Sequence, residues 1–260
     1  MANQVQRIAH RGGSLLAPEN TMAAFRNALT MPVDAVELDV QMSRDGHLIV
    51  FHDATVDRVT DGHGNILDLD FAYLRSLNAA AHFPGGWPQA EQIPTLREVL
   101  ALAKGRVYVS IEIKLAERDN AYWRYPKIVE AVVGEVRAAK MLDKVQIISF
   151  DWQTLNTIRK VEPALMTGAN VSRQLWSPEE SNAVENLCKR VTAIGCNWIN
   201  MDRKLFATDM LPVIRANRLK LGLWTVNSRD ELRLHAANGV DSLTTDRPDF
   251  FENLQDEPGQ

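Results

Sequence analysis

Cysteine is scarce in this 260-residue chain: Cys188 and Cys196 stand eight positions apart with no second pair. That excludes a zinc framework built from paired thiols, and the two residues read as buried free thiols. No His-x-His pair occurs either, so the multi-histidine zinc centre of an amidohydrolase barrel is also excluded. Positive charge is not concentrated anywhere. Lys and Arg number 29 against 33 Asp and Glu, a formal net charge of −4, so there is no basic stripe to follow a nucleic-acid backbone. A phosphate group must then be met by a local site and not by a global field. No apolar run approaches the ~20 residues that span a bilayer, and the N-terminal MANQVQRIAHR has no signal-peptide core. The expected location is the cytoplasm, with no stable membrane association. Internal repeats, low-complexity tracts and interdomain linkers are absent too.

What is present is a regular alternation. Strand-like runs occur at Val5–Ala9, Ala35–Val40, Val107–Ile113, Val145–Ser149, Leu165–Ala169, Asn197–Asn200, Leu221–Val226 and Ser242–Thr245. Segments of helical period lie between most of them, at Asn20–Thr30, Lys127–Lys140, Trp152–Val161, Asn182–Ala193, Asp209–Asn217 and Arg229–Asn238. Eight βα units in roughly 250 residues predict an α/β fold of the (β/α)8 TIM-barrel type, as one domain over residues 1–260. One connection breaks the rhythm. From about 45 to 105 the chain holds an insertion after the second strand, with a short strand at His47–Phe51 and a returning helix at Thr95–Ala103. Insertions after a barrel strand emerge on the catalytic face. The stretch from Asp249 to Gln260 is expected to be a frayed tail.

Chemistry-bearing residues collect at the strand ends. Ile8-Ala-His-Arg-Gly-Gly13 ends the first strand, where the Arg11 guanidinium can fork onto phosphate oxygens and the glycines let backbone N–H groups approach. In Ala17-Pro-Glu-Asn-Thr21, Asn20 or Thr21 caps the next helix, and the motif reads as no more than a helix start. Side chains alternate along a strand, so Glu37 and Asp39 share one side of the second strand. Facing a filled interior, two carboxylates cost several kcal/mol unless neutralised, and a divalent cation is the simplest compensation. The third strand repeats the design with Glu112 and Lys114. Glu37, Asp39 and Glu112 make an all-oxygen set suited to Mg²⁺, Ca²⁺ or Mn²⁺, with Lys114 adjacent to hold a phosphoryl oxygen. The insertion supplies His52 beside Asp53, and His10 with His52 are the two imidazoles fit to exchange protons near neutral pH. His47, His63, His82 and His235 read as surface or structural. Trp224 is either a pocket wall or a core residue, and Asp246 and Arg247 read as barrel-terminating.

Taken together, His10-Arg-Gly, Pro18-Glu-Asn-Thr21, Glu37-x-Asp39, His52-Asp53, Glu112-x-Lys114, Trp224-Thr-Val-Asn227 and Thr245-Asp-Arg-Pro248 resemble the glycerophosphodiester phosphodiesterase family, in order over nearly the whole chain. The resemblance implies hydrolysis of a small-molecule glycerophosphodiester to sn-glycerol 3-phosphate and an alcohol, with Mg²⁺ or Ca²⁺. It implies metal ligation by Glu37, Asp39 and Glu112, acid–base work by His10 and His52, phosphate contacts from Arg11 and Lys114, and Trp224 beside the glycerol. The short insertion is similar to that of cytosolic bacterial members. Two other readings compete. A lysophospholipase D-type enzyme would need an acyl channel, for which the insertion offers Phe71, Tyr73, Phe83 and Trp87. A non-catalytic barrel should have lost some of these groups. The sequence leaves monomer and homodimer both open.

Overall fold

A computed structural model describes residues 4–252 and Leu254. Eight parallel strands form a closed barrel: β1 (Gln6–Ala9), β2 (Ala35–Met42), β4 (Tyr108–Ile113), β7 (Val145–Ser149), β8 (Met166–Val171), β9 (Trp198–Asp202), β10 (Lys220–Trp224) and β11 (Ser242–Thr245). Neighbouring strands pair in that order, and β1 pairs with both β11 and β2, which closes the ring. The expected eight-strand α/β barrel is what the chain forms.

Around it run α1 (Met22–Ala28), α3 (Leu96–Ala103), α4 (Ile128–Ala139), α5 (Trp152–Val161), α6 (Ala183–Ala193), α7 (Met210–Ala216) and α8 (Arg229–Ala237). Their inner faces follow the helical period. In α4, Ile128, Val129, Val132, Val133 and Val136 are all buried, spaced so that one stripe packs on the barrel while Glu130 and Lys127 stay in water. α3 begins with a capping box, in which the Thr95 hydroxyl accepts from Glu98 N and the Glu98 carboxylate accepts from Thr95 N. No helix among the described residues is long and apolar enough to cross a membrane.

Between β2 and β4 the chain makes β3 (Leu48–Val50), antiparallel to β2, and a short α2 (Phe71–Ser76) absent from the sequence reading. This segment has its own small core of Ile49, Phe51, Val56, Ile66, Leu74 and Ile93, against which Phe71 packs. A second unforeseen feature follows β4, the hairpin of β5 (Ala116–Arg118) and β6 (Ala121–Trp123). The expected tail starts too early: Pro248–Phe251 is a 3-10 turn and Phe251 is buried in the main core, an apolar anchor that a polar C-terminus disguises. The rest of that expectation, at 253 and 255–260, lies outside the described residues, as do residues 1–3. Both cysteines are buried free thiols, as read.

Candidate active site

Register fixes the first part of the site. In the β2–β4 pairing Asp39 lies opposite Glu112, and Glu37 lies two residues earlier on the same side of β2. Parallel strands in that register bring the side chains onto one patch of the barrel interior. Carboxylate oxygens of Glu37, Asp39 and Glu112 all lie within 4.8 Å of one another, and all three residues are buried. This acidic triad can bind a metal. The donors are all hard oxygens, and the chain's two thiols lie in the helix-packed shell of the barrel and not among them.

Cations answer part of that charge. Lys114 Nζ is 2.8 Å from Glu112 Oε1 and 3.6 Å from Asp39 Oδ1, and Arg11 Nε is 3.3 Å from Asp39 Oδ2. Burial pushes the Asp39 carboxyl up, but Lys114 and Arg11 outweigh it and hold the group well below the usual carboxylate range. Glu37 goes the other way, raised by burial and by the charge of Asp39 beside it. One carboxylate of the cluster is therefore left short of positive charge, the condition that a bound cation relieves. Arg11 Nε also makes no hydrogen bond although it is buried. Asn20 Nδ2 donates to Asp39 Oδ2 at 2.9 Å, and the Arg11 backbone N donates to Glu37 Oε2 at 2.9 Å, so two of the three carboxylates are held in place by the β1–α1 loop.

The same loop corrects two readings. Thr21 alone caps α1, accepting from Ala24 N; Asn20 is buried at φ 57° and serves Asp39, while Glu19 pairs with Arg11 at 3.0 Å. Pro18-Glu-Asn is thus part of the site, and more than a helix start. Gly12 and Gly13 (φ 79° and 91°) answer packing as well as backbone twist. A Cβ on Gly12 would stand 2.8 Å from Ala24 Cβ, and one on Gly13 the same distance from Pro248 Cγ.

Each candidate histidine carries a carboxylate. His10 Nδ1 donates to Asp246 Oδ1 at 2.5 Å, which leaves Nε2 on the side of Glu37, 3.9 Å from Oε2. Burial drives the His10 imidazole down, yet the bond to Asp246 and the charge of Glu37 together raise it. Asp246 also accepts from Ser14 Oγ (2.6 Å) and Asn227 Nδ2 (2.6 Å), and these partners hold it at about 2 against its burial. The sequence reading of Asp246 as a barrel terminator is therefore incomplete. Its position just past a barrel strand was the signal, since that end of the barrel bears the chemistry. His52 Nδ1 donates to Asp53 Oδ1 at 2.6 Å. The His52 segment extends β3, with Phe51 N donating to Asp39 O at 3.0 Å, so the insertion delivers the imidazole beside the acidic cluster. Gln41, 1% exposed, places its amide nitrogen 3.0, 3.0 and 2.7 Å from the carbonyl oxygens of Phe51, His52 and Asp53, which share its two hydrogens. Nothing in the sequence marked Gln41, because an amide inside a strand carries no motif.

Both histidines, two of the three carboxylates and both cations border one cavity of about 170 Å³ at the C-terminal mouth of the barrel, with Asp39, Asp53 and Asp246 behind them. Its walls include His10, His52, Glu37, Glu112 and Lys114, and its far side is aromatic. Trp224 lines it, fixed by Nε1 donating to Asn200 O at 2.9 Å and by an edge-to-face contact with Phe150 at 5.6 Å. Phe150, Asn170 and Asn200 also line it, and none was singled out from the sequence. The remaining histidines stay apart: His47 stacks on Phe71, His63 and His82 are exposed, and His235 lies against Phe206.

Fold and site together define an enzyme of the (β/α)8-barrel class with an all-oxygen acidic cluster between two histidine–carboxylate pairs. The chain belongs to the glycerophosphoryl diester phosphodiesterase family, whose model matches residues 10–250. It is 34% identical over 248 residues to a glycerophosphodiester phosphodiesterase of Caldanaerobacter subterraneus subsp. tengcongensis, covering 95% of this chain and 96% of the relative. Among solved structures it is similar to an Oleispira antarctica phosphodiesterase in complex with the product sn-glycerol-3-phosphate, with TM-score 0.78, 28% identity and 98% of each chain covered. It is also similar to a glycerophosphodiester phosphodiesterase from Agrobacterium tumefaciens, with TM-score 0.78, 25% identity and coverage of 95% of this chain and 98% of that one.

Proposed function

We propose that the protein hydrolyses glycerophosphodiesters to sn-glycerol 3-phosphate and an alcohol in a divalent-cation-dependent reaction, the whole chain acting as one domain with residues 45 to 105 as its insertion. The observation that carries this reading is a cluster of three buried carboxylates, two of which share a single cavity with two histidines that are each backed by an aspartate. The name of the Caldanaerobacter relative and the product held by the Oleispira enzyme support the substrate class.

Glu37, Asp39 and Glu112 would hold Mg²⁺ or Ca²⁺, and such an ion supplies Lewis-acid polarisation of a phosphoryl oxygen. Arg11 and Lys114 border the same cavity and stabilise charge that grows on the non-bridging oxygens, usually the largest catalytic contribution. His10 and His52 move the protons. With each Nδ1 tied to a carboxylate, each Nε2 is the atom left to act. One takes a proton from the attacking oxygen and the other delivers one to the departing alkoxide, each step worth ~10²–10⁴-fold. Trp224 and Phe150 offer an apolar wall to the glycerol carbons.

The insertion gives the acyl-channel alternative little support, since Phe71 packs into the segment's own core and Phe83 and Trp87 pack on each other at 5.4 Å. The test is a coupled glycerol 3-phosphate assay on glycerophosphocholine and glycerophosphoethanolamine, with lysophosphatidylcholine followed by choline release. The first two should be turned over and the third should not. Preference for lysophosphatidylcholine, or no glycerol 3-phosphate from any diester, would overturn the reading.

A further inference from the structure

Arg58 belongs to the irregular part of the insertion, and its side chain is 49% exposed, which would ordinarily mark it as a solvated surface residue. Its partners say otherwise. Nε and Nη2 fork onto Asp53 at 2.5 and 3.2 Å, and Nη1 and Nη2 fork onto Glu19 at 2.8 and 2.7 Å. Both carboxylates are mostly buried, with side-chain exposures of 24% for Asp53 and 15% for Glu19. Asp53 is the partner of His52 Nδ1, and Glu19 is the partner of Arg11 Nη1. One guanidinium therefore closes a chain from Arg11 through Glu19 and Asp53 to His52, and it ties the insertion to the β1–α1 loop of the barrel.

We propose that Arg58 is a positioning residue for the reaction, holding the Asp53 carboxylate, and through it the His52 imidazole, in the orientation that proton transfer needs. This rests on the reading that His52 moves a proton. The geometry gives the reason for an arginine at this place. Asp53 must accept from His52 Nδ1 with one oxygen, and a carboxylate on a loop can rotate about its own bond. A planar fork from the far side fixes that rotation, while Glu19 fixes the fork. Gln41 pins the backbone of the same three residues but touches no side-chain oxygen of Asp53, so the amide clamp sets where His52 sits and Arg58 sets which way it faces. Lysine is a poor substitute, because one ammonium has three donors and no rigid fork where the guanidinium makes four contacts in two pairs.

The experiment is steady-state kinetics on glycerophosphocholine for the wild type, R58A, R58K, H52A and the H52A/R58A pair, with a thermal melt of each. Misaimed catalytic groups lose roughly 10–10²-fold in rate. R58A should lower kcat by that amount with KM changed less than about threefold, since proton transfer is felt in the transition state only. R58K should recover little. In the H52A background R58A should add less than about twofold, because the group it positions is already gone. A kcat within twofold of wild type for R58A, full rescue by lysine, or losses that multiply in the double variant would each overturn the proposal. Should R58A fail to fold, E19Q carries the test: it frees the anchor, and an unchanged kcat in folded E19Q overturns the proposal equally. H52A separates the two levels. If H52A keeps wild-type kcat, the role of His52 itself falls; if H52A is crippled and R58A is not, only the role of Arg58 falls.

Discussion

Replacing Asp246 by Asn changes almost no volume and removes one charge, which makes it a clean probe of the His10 pair. In the native protein the Asp246 carboxylate accepts three side-chain hydrogen bonds, from His10, Ser14 and Asn227. An amide can accept at only one of its two ends, so one of those donors must face an N–H group. If the oxygen stays with His10 and Ser14, Asn227 meets a donor and must turn; it then gives up the bonds its oxygen accepts from Asp246 N (2.9 Å) and Thr245 Oγ1 (3.1 Å). If the amide nitrogen faces His10 instead, the imidazole must carry its proton on Nε2, the atom meant to act on substrate. Either outcome degrades the general acid–base contribution, so kcat on glycerophosphocholine should fall by ~10²-fold or more. Stability supplies a second reading. Asp246 is held at about 2, roughly two units below an ordinary carboxylate, and is largely buried, which corresponds to a stabilisation on the order of 2–3 kcal/mol near neutral pH. That contribution is complete above about pH 4, the unfolded-state range, and is lost as pH falls through about 2 in the folded protein. Urea melts of wild type and D246N should therefore differ by that amount at pH 6 and converge towards pH 2. A D246N enzyme with kcat within threefold of wild type, or a stability gap that does not narrow in acid, would refute the reasoning.

Other expectations follow from the same geometry. H10A and H52A should each lower kcat by ~10²-fold or more, and an unchanged kcat in either removes that residue from proton transfer. EDTA should abolish turnover and added Mg²⁺ or Ca²⁺ restore it; full activity in chelator would exclude a cation from the reaction. N20A should leave Asp39 without its amide donor, a loss of about 1–3 kcal/mol at a buried charged acceptor, visible as weaker cation activation and a lower Tm. G12A should strain the β1–α1 loop, where a Cβ at φ 79° would stand 2.8 Å from Ala24 Cβ and 2.9 Å from the Ala24 backbone carbon. Overpacking of that kind costs about 1–3 kcal/mol, so a G12A melt identical to wild type would contradict the packing described.

The barrel was legible because its signals are local and repeated. β-branched runs such as Val145–Ser149 and amphipathic stretches such as Trp152–Val161 appear where they were read. Register was legible as well: alternation along β2 and β4 was enough to bring Glu37, Asp39 and Glu112 to one side. What escaped depends on contacts between distant segments. Asp246 is 236 positions from His10, Asn20 is 19 from Asp39, and Arg58 is 39 from Glu19, and each pairing exists only once the barrel has closed. Buried partners of the catalytic candidates look like caps, terminators or surface charges in a linear chain. α2 escaped for a different reason. Six residues are too few to show a helical period, and the segment is held by packing of Leu74 in the insertion core.

Calorimetric titration of EDTA-stripped protein with Mg²⁺ or Ca²⁺ addresses the acidic cluster directly. One ion should bind per chain, and the heat should vanish in D39N, which removes the charge of Asp39 but not its shape. Undiminished binding by D39N, or no binding by the wild type, would mean that Glu37, Asp39 and Glu112 do not form a cation site.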